Sequence, residues 1–260
     1  MSAESYNIGL VLSGGGARGF AHLGVLQALN EAGFRPDVLS GSSAGALAGV
    51  LYCDGYSPEQ ALKIMKTSSK LYYMRPTYPR DGLLQISGIK KILETHLRAK
   101  TFEELKIPLF VTATDLNNGK PVYFSSGELL EPVIASASIP VLFKPVIINK
   151  KFYVDGGVMD NLPIHPIENN CRLTIGSFVN PVGYEDTISG LVQIAERTFM
   201  LSMQKEIIEK SRKFDLFIAP LELKNYGILD PEKAEAVFKI GYKETKEKLK
   251  DPEIQKFLAK

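Results

Sequence analysis

Residues 8–20 read Ile-Gly-Leu-Val-Leu-Ser-Gly-Gly-Gly-Ala-Arg-Gly-Phe, a short apolar run that ends in a cluster of glycines. The apolar run Ile8–Leu12 predicts a buried β-strand. Apolar residues at helical spacing predict a helix over Phe20–Ala32, which Gly33 closes as its C′ residue. The glycines therefore join a buried strand to a helix, an arrangement typical of an α/β layer fold.

Strands and helices continue to alternate outward from this stretch. Further strands are predicted over residues 38–40, 109–114, 122–124, 152–154, 173–179 and 214–219. Helices are predicted over residues 44–53, 131–138 and 231–260, and another long helix is predicted after the strand 173–179, ending at Ser211. Two more are predicted to begin at the helix-start patterns Ser57–Gln60 and Thr101–Glu104. This order indicates one α/β domain over residues 1–260 with a mostly parallel sheet. Its motif-bearing core would span about 6–180, and a helical C-terminal region, about 187–260, would pack on that core.

Composition and charge exclude several classes of function. The chain has 260 residues, of which 45% are hydrophobic and 23% charged, and its net charge is +2. This balance does not favour nucleic acid as a partner, because proteins that bind it carry clustered Lys and Arg.

Cys53 and Cys171 have no paired spacing and are interpreted as reduced thiols. Residues 1–7 do not resemble a signal peptide, and the apolar stretch 133–148 is too short for a membrane span, so we expect a soluble cytoplasmic protein.

The glycine loop predicts a site for negative charge. Its residues are Gly14, Gly15, Gly16, Ala17, Arg18 and Gly19. Glycines let the backbone approach a ligand closely, and N–H groups at the start of a helix favour a phosphate or a transient oxyanion. The spacing of Gly14, Gly16 and Gly19 also matches a dinucleotide fingerprint, which requires an acidic residue at the end of the second strand. Asp37 precedes that strand instead, so the dinucleotide interpretation is disfavoured.

A second motif follows the second predicted strand. Residues 41–45 read Gly-Ser-Ser-Ala-Gly, a G-x-S-x-G pattern placed between a strand and a helix. In this context the pattern predicts a nucleophile elbow, in which Gly41 and Gly45 relieve crowding around Ser43 at the turn. Ser43 would also lie at a helix N-terminus, where the helix dipole favours an oxyanion. The alternative is a plain N-cap serine.

A serine nucleophile requires a base to accept its proton, and the sequence offers two candidates. Asp155 ends a predicted strand and is followed by Gly156 and Gly157, which would let a serine approach the carboxylate. His165 would complete the order Ser, Asp, His of a triad, but it follows Asp155 by only ten residues, in a turn-rich run. Asp155 could otherwise be a simple turn residue. The two remaining histidines, predicted to have no part in catalysis, are His22 and His96.

Together the glycine loop, the elbow and the Asp-Gly-Gly triplet resemble the patatin-like phospholipase family. That family combines a Gly-Gly-Gly-x-Arg/Lys-Gly loop, a Gly-x-Ser-x-Gly elbow and an Asp-Gly-Gly/Ala triplet. All three motifs stand intact here, at residues 14–19, 41–45 and 155–157. Residues 135–146 also look like the family segment that precedes the aspartate strand, and the similarity extends over residues 8–166.

The resemblance implies a three-layer α/β/α fold and a Ser–Asp dyad without histidine. Ser43 would be the nucleophile, Asp155 the base, and Arg18 a support for the glycine loop. The oxyanion hole would be formed by the backbone N–H groups of Gly15, Gly16 and Ala17. The implied chemistry is cleavage of lipid acyl esters through an acyl-serine intermediate, without a metal or another cofactor.

The implied substrate is a lipid or another acyl ester, with transient contact to a membrane surface. A thioesterase or acyltransferase that uses the same dyad is one alternative, and a non-catalytic lipid-binding module is another. Aromatic residues in the segment 71–78 are interpreted as part of a mobile cover over an acyl pocket. A homodimer is a further expectation, for which the predicted C-terminal helices offer a contact.

Overall fold

A computed structural model describes residues 6–72, 86–184, 186 and 188–258 of the chain. Within these residues the strands are β1 (Tyr6–Leu12), β2 (Val38–Ser42), β3 (Leu109–Asp115), β4 (Lys120–Phe124), β5 (Val146–Ile148), β6 (Lys151–Asp155), β7 (Cys171–Ser177) and β8 (Leu216–Ile218). The α-helices are α1 (Phe20–Glu31), α2 (Ala44–Cys53), α3 (Pro58–Tyr72), α4 (Ser87–His96), α5 (Leu130–Ser136), α6 (Leu191–Ser211), α7 (Ala234–Lys248) and α8 (Pro252–Leu258). Short 3-10 turns lie at Gly16–Gly19, Phe102–Glu104, Gly156–Val158, Leu221–Asn225 and Pro231–Lys233.

The strands form one mixed sheet that is parallel over most of its width. Strands β3, β2, β1, β7 and β8 lie side by side in that order and are parallel. Strands β4 and β6 pair with β3 in the antiparallel sense, and β5 continues beyond β6. Parallel neighbours need a crossover connection, which α1 supplies between β1 and β2. The predicted, mostly parallel sheet is therefore confirmed, with an antiparallel edge added.

Two apolar layers cover the two faces of the sheet. Successive side chains of a strand point to opposite faces, so Leu10 and Val11 belong to different core clusters. The Leu10 cluster includes buried residues from α1, α2 and α7. The Val11 cluster includes Met203 and Ile207 of α6. Helices thus lie on both faces, which confirms the predicted three-layer α/β/α fold.

Helix α7 packs directly on α1 and brings the C-terminal part of the chain against the sheet layer. A Cβ atom at Gly24 would lie 2.0 Å from the carbonyl oxygen of Phe238, and one at Gly241 would lie 2.2 Å from that of Ala21. Such distances are far below an ordinary van der Waals contact. The backbones of the two helices therefore touch at these glycines, without side chains between them.

Helix α3 begins with the predicted capping box. The Gln60 N–H donates to Ser57 Oγ at 3.2 Å, and the Ser57 N–H donates to Gln60 Oε1 at 2.9 Å. These bonds satisfy backbone donors that have no partner within the helix. They fix the start of a helix that lines the apolar pocket described below.

Two element predictions are wrong. The pattern at Thr101 starts a single 3-10 turn instead of a helix, and the backbone is already extended at Leu105. The helix predicted over residues 231–260 is divided into a 3-10 turn, α7 and α8. The break before α8 precedes Pro252, whose ring and missing N–H cannot continue a helix. The edge strand β5 was not predicted, since three residues give no clear periodicity.

Three further sequence predictions concern the cysteines, a cover over the pocket and the crossing of a membrane. Both Cys53 and Cys171 are free thiols, as predicted. The cover proposed around residues 71–78 lies mostly outside the described residues, which omit 73–85. Among the helices described, none combines the length and the apolar character that crossing a membrane requires.

Candidate active site

Strand β3 brings Ser43 and Asp155 together, although they are far apart in the sequence. Its residue Thr112 pairs with Ser42 at the end of β2, and the next residue, Ala113, pairs with Asp155 at the end of β6. Two adjacent residues of β3 therefore pair with Ser42, which directly precedes Ser43, and with Asp155. Ser43 follows the carboxyl end of the parallel strand β2, as expected for sites in α/β sheets, whereas Asp155 ends the antiparallel strand β6.

Ser43 occupies a strained turn between β2 and α2. Its φ of 52° is unusual for a residue other than glycine. Its hydroxyl donates to Asp155 Oδ2 with an oxygen–oxygen distance of 2.5 Å. Its backbone N–H donates to Ser136 Oγ on α5 at 2.8 Å, a contact that sequence reasoning did not identify. Strain of this kind is retained where surrounding contacts enforce it, often at functional sites.

The two elbow glycines allow the helix to start close to the sheet. Gly41 lies in β2 and Gly45 in the first turn of α2. A Cβ atom at Gly45 would lie only 2.3 Å from the carbonyl oxygen of Leu12 at the end of β1. Larger residues would therefore push α2 away from β1, and Ser43 would move with the helix.

The carboxyl group of Asp155 is buried and has two hydrogen-bond donors. One is the Ser43 hydroxyl, and the other is the Gly157 N–H, which donates to Oδ1 at 2.8 Å. Gly156 and Gly157 begin the 3-10 turn directly after β6. Burial raises the pKa of Asp155 to about 6, although both hydrogen bonds oppose the shift. The group is thus a stronger base than an ordinary aspartate and is still ionised near neutral pH.

Hydrogen bonds engage some N–H groups of the glycine loop and leave others open. The Gly14 N–H donates to Asn161 O at 3.1 Å, and the Ala17 N–H donates to Ile228 O at 2.7 Å. No described residue accepts a hydrogen bond from the N–H of Gly15 or Gly16. Of the three donors implied by the family resemblance, Ala17 therefore already has a protein acceptor. The remaining members of the loop, Arg18 and Gly19, lie in the 3-10 turn and are buried.

His22 forms a hydrogen bond with Ser13, the residue that directly precedes the glycine loop. It is fully buried, with Nε2 at 2.8 Å from Ser13 O and Nδ1 at 2.8 Å from Ser177 Oγ. Since a carbonyl only accepts, Nε2 carries the proton and the Ser177 hydroxyl donates to Nδ1. Burial lowers the pKa of His22 to about 4, so the ring is neutral at physiological pH. The expectation that this histidine packs rather than reacts agrees with these contacts.

His165 does not complete a triad in this structure. Its side chain is exposed, and its ring centroid lies 5.9 Å from that of Tyr123. In the described part of the chain, no hydrogen bond joins His165 to Ser43 or Asp155. The arrangement that the structure contains is therefore a serine and a carboxylate in direct contact.

An apolar pocket opens beside Ser43. Its wall includes Ser43 itself, Gly16 of the glycine loop and aliphatic side chains from three helices. Helix α2 contributes Leu47 and Leu51, α3 contributes Ile64, and α4 contributes Ile89, Ile92 and Leu93. A largely apolar pocket with a few polar groups at one place is the usual form of a small-molecule site.

The three-layer sheet fold, the strained serine turn and the adjacent Asp-Gly-Gly turn together define a class of α/β proteins. The family described as Patatin-like phospholipase matches residues 10–167. That match covers more than half of the sequence, and the chain belongs to the patatin-like phospholipase family. The family resemblance of the sequence motifs is thus confirmed.

Individual relatives support the same assignment. An uncharacterized NTE family protein of Mycobacterium tuberculosis is 35% identical over 181 residues, which cover 68% of this chain and 50% of the relative. The protein named Lysophospholipase NTE1 of Mycosarcoma maydis is 28% identical over 274 residues, covering 91% of this chain but 14% of the relative. The chain therefore spans half the length, or much less, of the curated relatives it matches.

A solved structure shows a similar fold. The crystal structure of VipD from Legionella pneumophila superimposes with a TM-score of 0.55 at 16% sequence identity. The match covers 95% of this chain and 67% of VipD. At this identity the likeness concerns the fold alone.

Proposed function

We propose that the protein is a serine hydrolase that cleaves acyl esters of lipids, of the phospholipase A or lysophospholipase type. The observation that carries the proposal is the 2.5 Å hydrogen bond between Ser43 Oγ and Asp155 Oδ2, on the wall of an apolar pocket. Membership of the patatin-like phospholipase family supports it, as does the similarity to a protein named Lysophospholipase NTE1.

In the first half of the reaction, Ser43 Oγ attacks the carbonyl carbon of the substrate. Asp155 takes the hydroxyl proton at Oδ2, which is already its acceptor. The negative charge that forms on the carbonyl oxygen is stabilised by the N–H groups of Gly15 and Gly16 and by the N-terminus of α2. The intermediate then collapses, and the leaving alkoxide takes the proton from Asp155.

In the second half, water replaces the leaving group. Asp155, ionised again, accepts a proton from the water as its oxygen attacks the acyl carbon. The same N–H groups stabilise the second oxyanion, and the proton returns to Ser43 Oγ as the ester bond breaks. The products are a carboxylic acid and the starting enzyme.

The pocket supports a lipid as the acyl donor. Its aliphatic wall matches an acyl chain, because burying each methylene contributes roughly 0.8 kcal/mol. Such substrates reside in membranes or micelles, so transient contact of the protein with a lipid surface is part of the proposal.

Covalent labelling with a fluorophosphonate, mapped by mass spectrometry, tests the proposed dyad. We expect the label on Ser43, no label in Ser43→Ala, and a labelling rate about 10²–10⁴-fold lower in Asp155→Asn. His165→Ala is the matched control and should label like the wild type. A folded wild-type protein that does not react would contradict the hydrolase, and loss of labelling in His165→Ala would replace the dyad by a triad.

A further inference from the structure

A segment near the C-terminus, Tyr226–Pro231, rests on the glycine loop. Ile228 O accepts the Ala17 N–H at 2.7 Å, and Tyr226 O accepts the Arg18 Nε–H at 2.5 Å. More than 200 residues separate the partners of each contact in the sequence. We call Tyr226–Pro231 the strap.

The close fit between the strap and the loop depends on Gly16. This residue has a φ of 54°, and a Cβ atom on it would lie 2.3 Å from Ile228 O. Any side chain at position 16 would therefore displace the strap, besides being strained by its backbone conformation. The strap thus has a defined position against the residues that surround Ser43.

The strap also forms one wall of the apolar pocket. Ile228, Leu229 and Pro231 line it together with Ser43 and the aliphatic residues of α2, α3 and α4. An acyl chain attached to Ser43 and lying in this pocket would contact the strap on one side and these helices on the other. The family match ends at residue 167, so this wall is built by a part of the chain beyond the matched region.

We propose that Ile228 and Leu229 of the strap determine which acyl chains the site accepts. The inference rests on the proposed function and adds to it the residues that set chain-length selectivity. Apolar pockets discriminate between chains through the volume that they leave, and a difference of one methylene changes relative rates by about 10-fold or more. A larger side chain at position 229 should exclude long chains, whereas a smaller one should favour them.

The test compares kcat/KM for p-nitrophenyl butyrate, octanoate and palmitate in the wild type, Leu229→Phe and Leu229→Ala. We expect the palmitate-to-butyrate ratio to fall about 10-fold in Leu229→Phe and to rise in Leu229→Ala. Leu221→Phe and Leu221→Ala are matched controls, because Leu221 is 60% exposed and lies outside the pocket wall. Their ratios should equal that of the wild type.

Ile228→Val provides a second, milder variant in case the Leu229 variants do not fold. It removes one methylene from the pocket wall and should raise the palmitate-to-butyrate ratio. Ratios that stay within those of the Leu221 controls in every folded strap variant would overturn the inference. A wild type that neither hydrolyses these esters nor reacts with fluorophosphonate would instead overturn the proposed function, so the two failures are distinguishable.

Discussion

The raised pKa of Asp155 predicts how activity depends on pH. Asp155 accepts a proton only when ionised, and burial raises its pKa to about 6. Activity should therefore be fully present above this pKa and be lost as the pH falls through it. We expect kcat/KM for a soluble ester to decrease about tenfold per pH unit below pH 6, measured from pH 8 downwards.

Two histidines, His22 and His165, are the alternatives to Asp155 as the source of this pH dependence, and each can be distinguished from it. His22 has a pKa lowered to about 4 and stays neutral through the relevant range. His165→Ala should leave the pH profile unchanged, because that side chain contacts neither Ser43 nor Asp155. A flat profile between pH 8 and pH 5 would count against Asp155 as the base, and a profile altered in His165→Ala would assign the titration to histidine.

Single residues also show where sequence reasoning ends. Ser43 and Asp155 were predicted because each belongs to a local motif with a specific turn geometry. The Ser136 hydroxyl that binds the Ser43 N–H, and the Ile228 carbonyl that binds Ala17, were not predicted. Neither contact has a local signature, since a backbone carbonyl is present in every residue and a serine hydroxyl has many uses. Such contacts are set by packing between distant segments.

At the scale of helices and strands, the close packing of α7 on α1 makes glycine more favourable than alanine at position 241, although alanine has the higher helix propensity. In an isolated helix, Gly→Ala is stabilising by about 1 kcal/mol. In this contact the added methyl group of Gly241→Ala would lie 2.2 Å from Ala21 O, so the helices must separate. We expect Gly241→Ala to lower the free energy of unfolding by about 1–3 kcal/mol, measured by urea denaturation.

A matched variant in α2 separates packing from propensity. The three heavy atoms nearest to a Cβ atom at Gly49 would be side-chain carbons, the first of them Leu109 Cδ1 at 3.2 Å, whereas Gly241 would meet a backbone oxygen at 2.2 Å. Gly49→Ala should therefore change stability by less than about 1 kcal/mol. Equal effects of the two substitutions, or a more stable Gly241→Ala, would contradict direct contact between the helix backbones.

The same scale explains which elements the sequence could predict. Strand β1 contains the continuous apolar run Ile8–Leu12, and α2 extends from the Gly-x-Ser-x-Gly motif to just before Gly55, so the positions of both elements were predicted within a few residues. The antiparallel edge of the sheet was not predicted, because the direction in which β6 pairs with β3 depends on tertiary contacts. That pairing is nevertheless what places Asp155 beside Ser43.

At the scale of the whole molecule, the elements that support the site extend beyond the region that matches the family. The match ends at residue 167, but β1 pairs along its length with β7, which begins at Cys171. The end of β7 also supplies Ser177, whose backbone oxygen accepts the Ser13 N–H and whose hydroxyl binds His22. The glycine loop is therefore supported by residues that lie outside the matched segment.

A truncated variant that ends at residue 167 should consequently not form the site. It would lose β7, the strap and α7. The backbone N–H and C=O groups of β1 that pair with β7 would lose their partners, and one apolar face of α1 would be exposed to water. We expect no cooperative thermal unfolding by circular dichroism and no fluorophosphonate labelling of Ser43. A variant that ends at Asp251 keeps all three elements and should fold and react. If the shorter chain reacted as well, the C-terminal elements would not support the loop, and catalysis would depend only on the family segment.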